Sequence, residues 1–194
     1  MITLSRGVLL CLLLAGTAGC DRVTKHLAVT ALAGERHQSF LADTVRLQYH
    51  ENPGAFLAFG ASWSPVARTA VFQFGNALSL AIAGFLAARY RWSWLPRCGL
   101  VLFLAGGLSN LTDRIVIGSV IDFLNVGIGP LRTGIFNVAD VAIMAGVAMV
   151  LWEVLRLGGA PIMAFQAAAP EPGSPPRVSQ RGGVVEARQD DAAA

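Results

Sequence analysis

Four long apolar segments dominate this chain of 194 residues. They cover about residues 7–28, 69–88, 96–112 and 135–155, and a helix needs about 20 mostly apolar residues to cross the hydrocarbon core of a bilayer. Charged residues make up only 14% of the chain, whereas soluble domains carry about 25%. The sequence therefore predicts an all-α membrane protein, a bundle of four transmembrane helices.

The distribution of arginines predicts how these segments are oriented. Arg89, Arg91 and Arg97 cluster in the short link between the second and third segments. Cytoplasmic loops carry an excess of Lys and Arg, so this link is expected in the cytoplasm. Both termini are then cytoplasmic, and the loops over residues 29–68 and 113–134 lie on the outer side.

The last part of the chain has a different composition. Residues 158–194 are rich in Ala, Pro, Gly, Ser and Gln, with mixed charges, and such segments bury too little apolar surface to form a core. We therefore expect one membrane domain over residues 1–157, followed by a disordered cytoplasmic tail.

The outer loops carry two segments with strand character. Val45, Leu47 and Tyr49 alternate with polar residues before the turn sequence Asn-Pro-Gly at residues 52–54, a pattern typical of a short strand ending in a turn. Residues 119–129, SVIDFLNVGIG, form the second such segment. We expect the two to pair in a small extracytoplasmic sheet.

Composition disfavours several kinds of ligand. The formal net charge is only +3 and the basic residues are scattered, which argues against a nucleic-acid partner. Cys11, Cys20 and Cys98 stand in apolar stretches without a Cys-x-x-Cys pair or a histidine at ligand spacing, which argues against a disulfide framework and a zinc site. We expect no metal and no organic cofactor.

The predicted crossings place four aspartates at the outer membrane face: Asp21, Asp113, Asp122 and Asp140. Ionisable residues within or beside membrane spans are costly and are candidates for a functional site. Asp122 and Asp140 are flanked by apolar residues, and two close carboxylates in such surroundings can share one proton, so that one acts as base and the other as acid. We expect these two to form an aspartic dyad, oriented by Asn137 three residues before Asp140.

Other polar residues fit structural roles. The charge and planar shape of Arg114 suit a bidentate pair with the preceding Asp113, and Asp21 and Lys25 are spaced for an ion pair on one helical face. Asn110 is expected on the same face as Asp113. Three polar residues of the second segment, spaced by three, are expected mainly to serve interhelical packing: Gln73, Asn76 and Ser79.

Five ordered motifs resemble those of the lipoprotein signal peptidases, also called signal peptidase II. They are DRVTK at residues 21–25, ENPGAF at 51–56, GGLSNLTDR at 106–114, VIDF at 120–123 and FNVADVAI at 136–143. The resemblance covers about residues 7–152, in the family's order and with four spans.

This resemblance implies an aspartic endopeptidase of the bacterial inner membrane that removes signal peptides from prolipoproteins, just before a cysteine carrying a diacylglyceryl group. The dyad would be Asp122 and Asp140, at the periplasmic face. Prolipoproteins and membrane lipids would be its partners, and a monomer is expected. The positions matching supporting family residues are Asp21, Lys25, Asn52, Gly54, Asn110, Asp113, Arg114, Asn137 and Ala139.

The chain departs from the family pattern at three positions. Ser109 stands where a glycine commonly precedes the asparagine, and Val141 stands where serine is common after the second aspartate. Pro53 fills the variable position of the Asn-x-Gly motif and is expected to change the shape of the outer loop.

Two other functions remain open at this point. The segment from Leu9 to Cys20 has an apolar run and small residues before a cysteine, as in the signal peptide of a lipoprotein, although Thr17 stands where leucine is usual. A small ion transporter would also place acids on membrane spans. A transporter predicts acids spread over the depth of the bilayer, whereas these cluster at one face.

Overall fold

The computed structural model describes residues 2–54 and 62–156. Its helices are α1 (Ile2–Leu32), α2 (Pro65–Arg68), α3 (Gly75–Arg89), α4 (Trp94–Val116) and α5 (Val138–Arg156), with a π-helical segment, Thr69–Phe74, between α2 and α3. Within the described residues, four helical stretches are long and apolar enough to cross a membrane: Ser5–Leu32, Val66–Arg89, Trp94–Val116 and Val138–Arg156. The predicted number of membrane helices is confirmed.

The helices end at different residues from the apolar segments. α4 continues to Val116, so Asp113 and Arg114 are helical, whereas the sequence assigned them to the outer loop. A helix can carry Asp113 because the buried Lys25 of α1 compensates its charge. α5 begins at Val138 rather than Ile135. The predicted tail, residues 158–194, lies outside the described residues.

α4 is the central helix and contacts α1, α3 and α5. Its packing against α5 depends on glycine: a Cβ atom on Gly99 would lie 2.7 Å from the carbonyl oxygen of Gly146, and a Cβ atom on Gly106 would overlap the backbone of Ala139. Small residues at a helix crossing allow close backbone approach in membrane bundles. This crossing brings the start of α5 against the second half of α4, where the polar residues lie.

The second span is joined to α4 by polar contacts. Gln73 Nε2 donates a hydrogen bond to the carbonyl oxygen of Arg114 at 2.8 Å, and Asn76 Nδ2 donates to that of Gly107 at 3.2 Å. The predicted interhelical role is confirmed for these two residues. Ser79 instead bonds within its own helix, to the carbonyl oxygen of Asn76 at 2.8 Å.

The extramembrane segments form an antiparallel sheet of four strands in the order β1–β2–β3–β4. The strands are β1 (Gln38–Phe40), β2 (Val45–Asn52), β3 (Val120–Ile128) and β4 (Leu131–Arg132). β2 and β3 pair as expected, with Val45 opposite Val126, His50 opposite Asp122 and an irregularity between Leu47 and His50.

The sheet lies across the C-terminal ends of α1 and α4. Leu47 and Leu124 pack against a buried cluster that contains Ala28 and Leu32 of α1. At the other end of β2, the carbonyl oxygen of Gly54 accepts a hydrogen bond from Arg114 Nη2 at 3.0 Å. The middle of the sheet therefore places Asp122 above the bundle end that carries the remaining acids.

Candidate active site

Lys25 is the centre of a buried ionic cluster between α1 and α4. Its side chain is 2% exposed, and its Nζ lies 2.8 Å from Asp21 Oδ2 and 2.7 Å from Asp113 Oδ2. It also donates to Asn110 Oδ1 at 2.8 Å. The predicted Asp21–Lys25 ion pair is confirmed, and it extends to a second helix.

The predicted partnership of Asp113 and Arg114 is wrong. The Asp113 carboxylate pairs with Lys25 through one oxygen and with Arg22 Nη2 through the other, at 2.6 Å. Adjacent residues on a helix point about 100° apart, so an ion pair across the α1–α4 contact is geometrically easier. Arg114 instead donates to Gly54, which in turn donates its N–H to Asn52 Oδ1 at 3.0 Å.

Two residues of this cluster were not predicted as contributors. Ser109 Oγ donates to Asp21 Oδ2 at 2.5 Å and accepts a hydrogen bond from Arg22 Nε at 3.0 Å. Arg22 also donates to the carbonyl oxygen of Ser109 at 3.1 Å. In the sequence, Ser109 stands out only as a departure from the family pattern, and nothing near Arg22 indicates that Ser109 is its partner.

Asp21 fixes the position of α5. Its Oδ1 accepts a hydrogen bond from the backbone N–H of Ala139 at 2.9 Å, and Ala139 is fully buried. The first backbone N–H groups of a helix have no partner within the helix, so a buried carboxylate there satisfies one of them. The supporting positions Asp21 and Ala139 are thus brought together by a direct contact.

Asp122 lies on β3 and is 2% exposed. Its Oδ1 accepts a hydrogen bond from Asn137 Nδ2 at 2.7 Å and its Oδ2 accepts one from Asn52 Nδ2 at 3.0 Å. Burial raises the pKa of the Asp122 carboxyl to about 6; the nearby Asp140 charge adds to this rise, and the hydrogen bonds from the two asparagines oppose it. A carboxyl in this setting can carry a proton near neutral pH.

Asp140 is the third residue of α5 and forms a reciprocal cap with Asn137. Asn137 Oδ1 accepts from the Asp140 N–H at 2.9 Å, while Asp140 Oδ2 accepts from the Asn137 N–H at 3.1 Å. This is the geometry of a capping box. Asn137 therefore precedes the helix and caps it, whereas the sequence placed it on the same helical face as Asp140.

Asn137 also joins the two predicted catalytic carboxylates. Its amide nitrogen bonds Asp122 while its backbone N–H and amide oxygen hold Asp140. Asn110 supports the second acid, donating from Nδ2 to Asp140 Oδ1 at 2.8 Å, and its Oδ1 faces Asn137 Nδ2 at 3.2 Å. One hydrogen-bonded chain thus runs from Asp122 through two asparagines to Lys25.

A cavity of about 560 Å³ opens beside these residues. Asp140, Asn110 and Arg114 form its polar end, and Asn76 and Ser79 lie along its wall. The remaining lining is mainly apolar: Val71, Phe72, Ile143 and Met144. Ser79 also lines a second, apolar groove of about 370 Å³ between α3, α4 and α5, so the two cavities adjoin at this residue.

The acids of this site are arranged with amides and cations. No group of three or more His, Cys, Asp or Glu side chains within residues 2–54 and 62–156 is placed to hold a metal ion. The Arg114 guanidinium lies close enough to Asp140 and Asp122 to interact with both charges. The arrangement suits proton transfer between two carboxyls and a bound water.

Comparison with known proteins identifies the family. Residues 12–156 match the family model described as signal peptidase (SPase) II. The chain belongs to the signal peptidase II family. It is accordingly a peptidase and a membrane protein, and the expected family resemblance is confirmed.

Relatives and solved structures agree with this assignment. A lipoprotein signal peptidase from Moorella thermoacetica is 34% identical over 145 residues, covering 72% of this chain and 87% of the relative. One from Burkholderia thailandensis is 35% identical over 140 residues, covering 70% and 81%. A bacterial membrane enzyme solved by the in meso method at 2.3 Å resolution has a TM-score of 0.65 and 21% identity, over 76% of this chain and 87% of that one. That structure shares the fold.

Proposed function

We propose that this protein cleaves the signal peptide from prolipoproteins just before a cysteine that carries a diacylglyceryl group, with Asp122 and Asp140 as its catalytic dyad. The observation that carries this proposal is the position of Asn137, which bonds both carboxylates at once. The signal peptidase II family supplies the substrate class.

The dyad would act on one water molecule. Each oxygen of both carboxylates accepts one hydrogen bond from the protein, and a carboxylate has about four acceptor positions, so both acids keep capacity to bind water. With one proton shared by the pair, the ionised acid takes a proton from the water molecule as the water oxygen attacks the carbonyl carbon of the scissile bond. The protonated acid donates to the carbonyl oxygen, which gives a gem-diol. The acid that took the water proton then donates it to the amide nitrogen as the C–N bond breaks, while the other acid takes a proton back from a hydroxyl of the gem-diol.

Arg114 is suited to orient the substrate. Its Nε is buried and has no hydrogen-bond partner among the described residues, while its Nη2 is bonded to Gly54. A buried N–H without a partner is costly, and this one belongs to a residue that lines the cavity with Asp140. A backbone carbonyl of the bound peptide near the scissile bond would satisfy it.

The apolar walls fit a signal peptide. The cavity beside Asp140 and the adjoining groove present mainly aliphatic and aromatic side chains, as an apolar helix entering from the bilayer requires. No metal or organic cofactor takes part in this proposal.

The proposed orientation follows from Arg89, Arg91 and Arg97, which place the α3–α4 link in the cytoplasm by the positive-inside rule. The dyad then lies at the periplasmic face of the inner membrane and both termini lie in the cytoplasm. We propose a monomer as the active unit, because Asn52, Asn110 and Asn137 already bond every carboxylate oxygen of the dyad and the site needs no residue from a second copy.

The test is cleavage of a purified precursor in detergent, compared for the diacylglyceryl-modified and unmodified forms. Mass spectrometry should find a cut directly before the modified cysteine and little cutting of the unmodified form. In H₂¹⁸O, one ¹⁸O should enter the new carboxyl group in a single turnover. Equal cutting of both forms would refute the proposed substrate, and a trapped acyl-enzyme would refute direct attack by water.

The two alternative functions have weaker support. Cys20 lies inside the continuous helix α1, next to the fully buried Asp21 of the ionic cluster, so cleavage there would separate the membrane helix from its cluster. The intact mass of the N-terminus tests this: a processed lipoprotein would begin at a lipidated Cys20. For a transporter, the four aspartates stand at one end of the bundle rather than along it, and the family is that of a peptidase.

A further inference from the structure

Two neighbouring turns at one end of the sheet expose large apolar side chains. One turn joins β1 to β2 and the other joins β3 to β4. Phe40 is 47% exposed, Leu41 76%, Ile128 79% and Leu131 82%. We call these four residues the apolar tip. Large exposed apolar clusters on a protein commonly mark a surface that contacts a partner or a membrane.

Hydrogen bonds join the two turns that carry the apolar tip. The two turns are joined by hydrogen bonds from Gly127 N to the carbonyl oxygen of Thr44 at 2.9 Å and from Arg132 Nη1 to that of Asp43 at 2.7 Å. Arg46 holds the Asp43 carboxylate with two bonds of 2.7 and 2.5 Å. These contacts fix the turn that carries Leu41.

The backbone of this turn is strained. Leu41, Ala42 and Asp43 have φ angles of 51°, 51° and 66°, and a left-handed conformation costs a residue other than glycine about 1–2 kcal/mol. Three such residues in succession persist only where the surroundings hold them. The hydrogen bonds of Arg46 and Arg132 to Asp43 therefore hold the conformation that displays Leu41 at the surface.

The path of β2 shows where the tip lies. Lys25 and Asp113 are in contact at 2.7 Å, so the C-terminal ends of α1 and α4 stand side by side. Gly54, just after the end of β2, is bonded to Arg114 of α4. Nearer the start of β2, Leu47 packs against the cluster that contains Leu32 of α1. A strand that crosses the ends of two adjacent membrane helices runs roughly along the membrane plane.

Beyond Leu47 the strand continues past α1 towards the tip. The outer side of α1 is exposed near this end, with Val23 at 59% and Leu27 at 56% exposure, as expected for a surface facing lipid. Val45 lies two positions before Leu47 in β2, a distance of about 7 Å at the rise of a strand. With Leu47 packed near α1 and the tip beyond Val45, the tip would extend past α1 over the lipid around it.

We propose that the apolar tip inserts into the interfacial region of the bilayer beside α1 and anchors the sheet at a fixed height. Its occupant is the lipid of the leaflet at which the sheet lies. Because β3 carries both the tip residue Ile128 and the acid Asp122, this anchor would also set the depth of Asp122. The inference depends on the membrane fold and not on the proposed chemistry.

Depth measurements by spin labelling test this directly. In a background with Cys11, Cys20 and Cys98 replaced by Ser, a nitroxide is attached after Ile128→Cys, Leu131→Cys or, as reference, Gln38→Cys, since Gln38 is exposed but outside the tip. In nanodiscs of phosphatidylethanolamine and phosphatidylglycerol, the ratio of label collisions with oxygen to collisions with a water-soluble nickel complex is measured. This ratio should be at least about threefold higher for the tip labels than for the reference label. Equal ratios at all three positions would overturn the proposal.

A second measurement separates anchoring from folding. The triple variant Leu41→Ser, Ile128→Ser, Leu131→Ser should have the melting temperature of the wild type in detergent, because these side chains are exposed. In the nanodiscs its melting temperature should lie several degrees below that of the wild type. Gln38→Ser should match the wild type in both. A triple variant that melts with the wild type in nanodiscs, or that loses as much in detergent, contradicts membrane anchoring.

Discussion

Replacing Lys25 with methionine should destabilise the protein more than any change to a neighbouring cation. Lys25 is 2% exposed and compensates two buried carboxylates, Asp21 and Asp113. Methionine retains most of the side-chain volume but leaves buried charge uncompensated, and removing one partner of a buried ion pair costs about 3–5 kcal/mol. At about 2–4 °C per kcal/mol for a chain of this size, the melting temperature should fall by roughly 6–20 °C.

Arg22 provides the matched control. It also pairs with Asp113, at 2.6 Å, but is 41% exposed, and Lys25 remains beside that carboxylate when it is removed. Because Arg22 itself contacts solvent and Lys25 still compensates Asp113, we expect the loss of an exposed pair, about 0–1 kcal/mol. Arg22→Met should then lower the melting temperature by only about 0–4 °C. Thermal melting in detergent, followed by tryptophan fluorescence, measures both variants. Equal losses, or a larger loss for Arg22→Met, would refute the central place given to Lys25.

Three further outcomes follow from the geometry. Folding raises the pKa of Asp122 from 3.8 to about 6, so its contribution to stability is complete below pH 4 and is lost as pH rises through 6. The melting temperature measured against pH should show this loss in the wild type but not in Asp122→Asn. The same pH dependence in both proteins would contradict it. Asn137→Ala should lower kcat/KM at least about 100-fold and reduce the free energy of unfolding by about 1 kcal/mol. Asn137→Ser can still cap α5 but is too short to reach Asp122, so it should regain the stability and not the rate. Recovery of both would leave Asn137 only a capping role. Gly99→Val should reduce the free energy of unfolding by about 1–3 kcal/mol through overpacking against Gly146. Gly84 has open space around it, so Gly84→Ala should have a melting temperature at or above that of the wild type. Similar losses in the two variants would contradict the close α4–α5 packing.

The helices and the two main strands could be predicted because their signals are local. Apolar length identifies a membrane helix, and alternation over Val45–Tyr49 identifies a strand. β1 and β4 were missed because they contain three and two residues. The turn before β2 was also missed, since Leu41 and Ala42 are residues from which a left-handed backbone is not expected.

The residues of the site could be selected from sequence, but their partners could not. Asp113 was assigned to Arg114 because they are adjacent, whereas its cations come from α1, 88 and 91 positions away. The dual role of Asn137 was likewise hidden: its cap of α5 is a local motif that could have been read as Asn-x-x-Asp, but its bond to Asp122 depends on β3. Tertiary packing determines such contacts, and a single sequence does not reveal it.

The central claim is that Asp122 and Asp140 perform the cleavage together. Single-turnover cleavage of the diacylglyceryl-modified precursor should be measured for Asp122→Asn and Asp140→Asn, with Glu35→Gln as the control, because Glu35 is an exposed acid between α1 and β1, outside the site. Both dyad variants should remain folded and lose at least about 10³-fold in rate, and the control should cleave at the wild-type rate. A rate within tenfold of the wild type for either dyad variant would contradict the account.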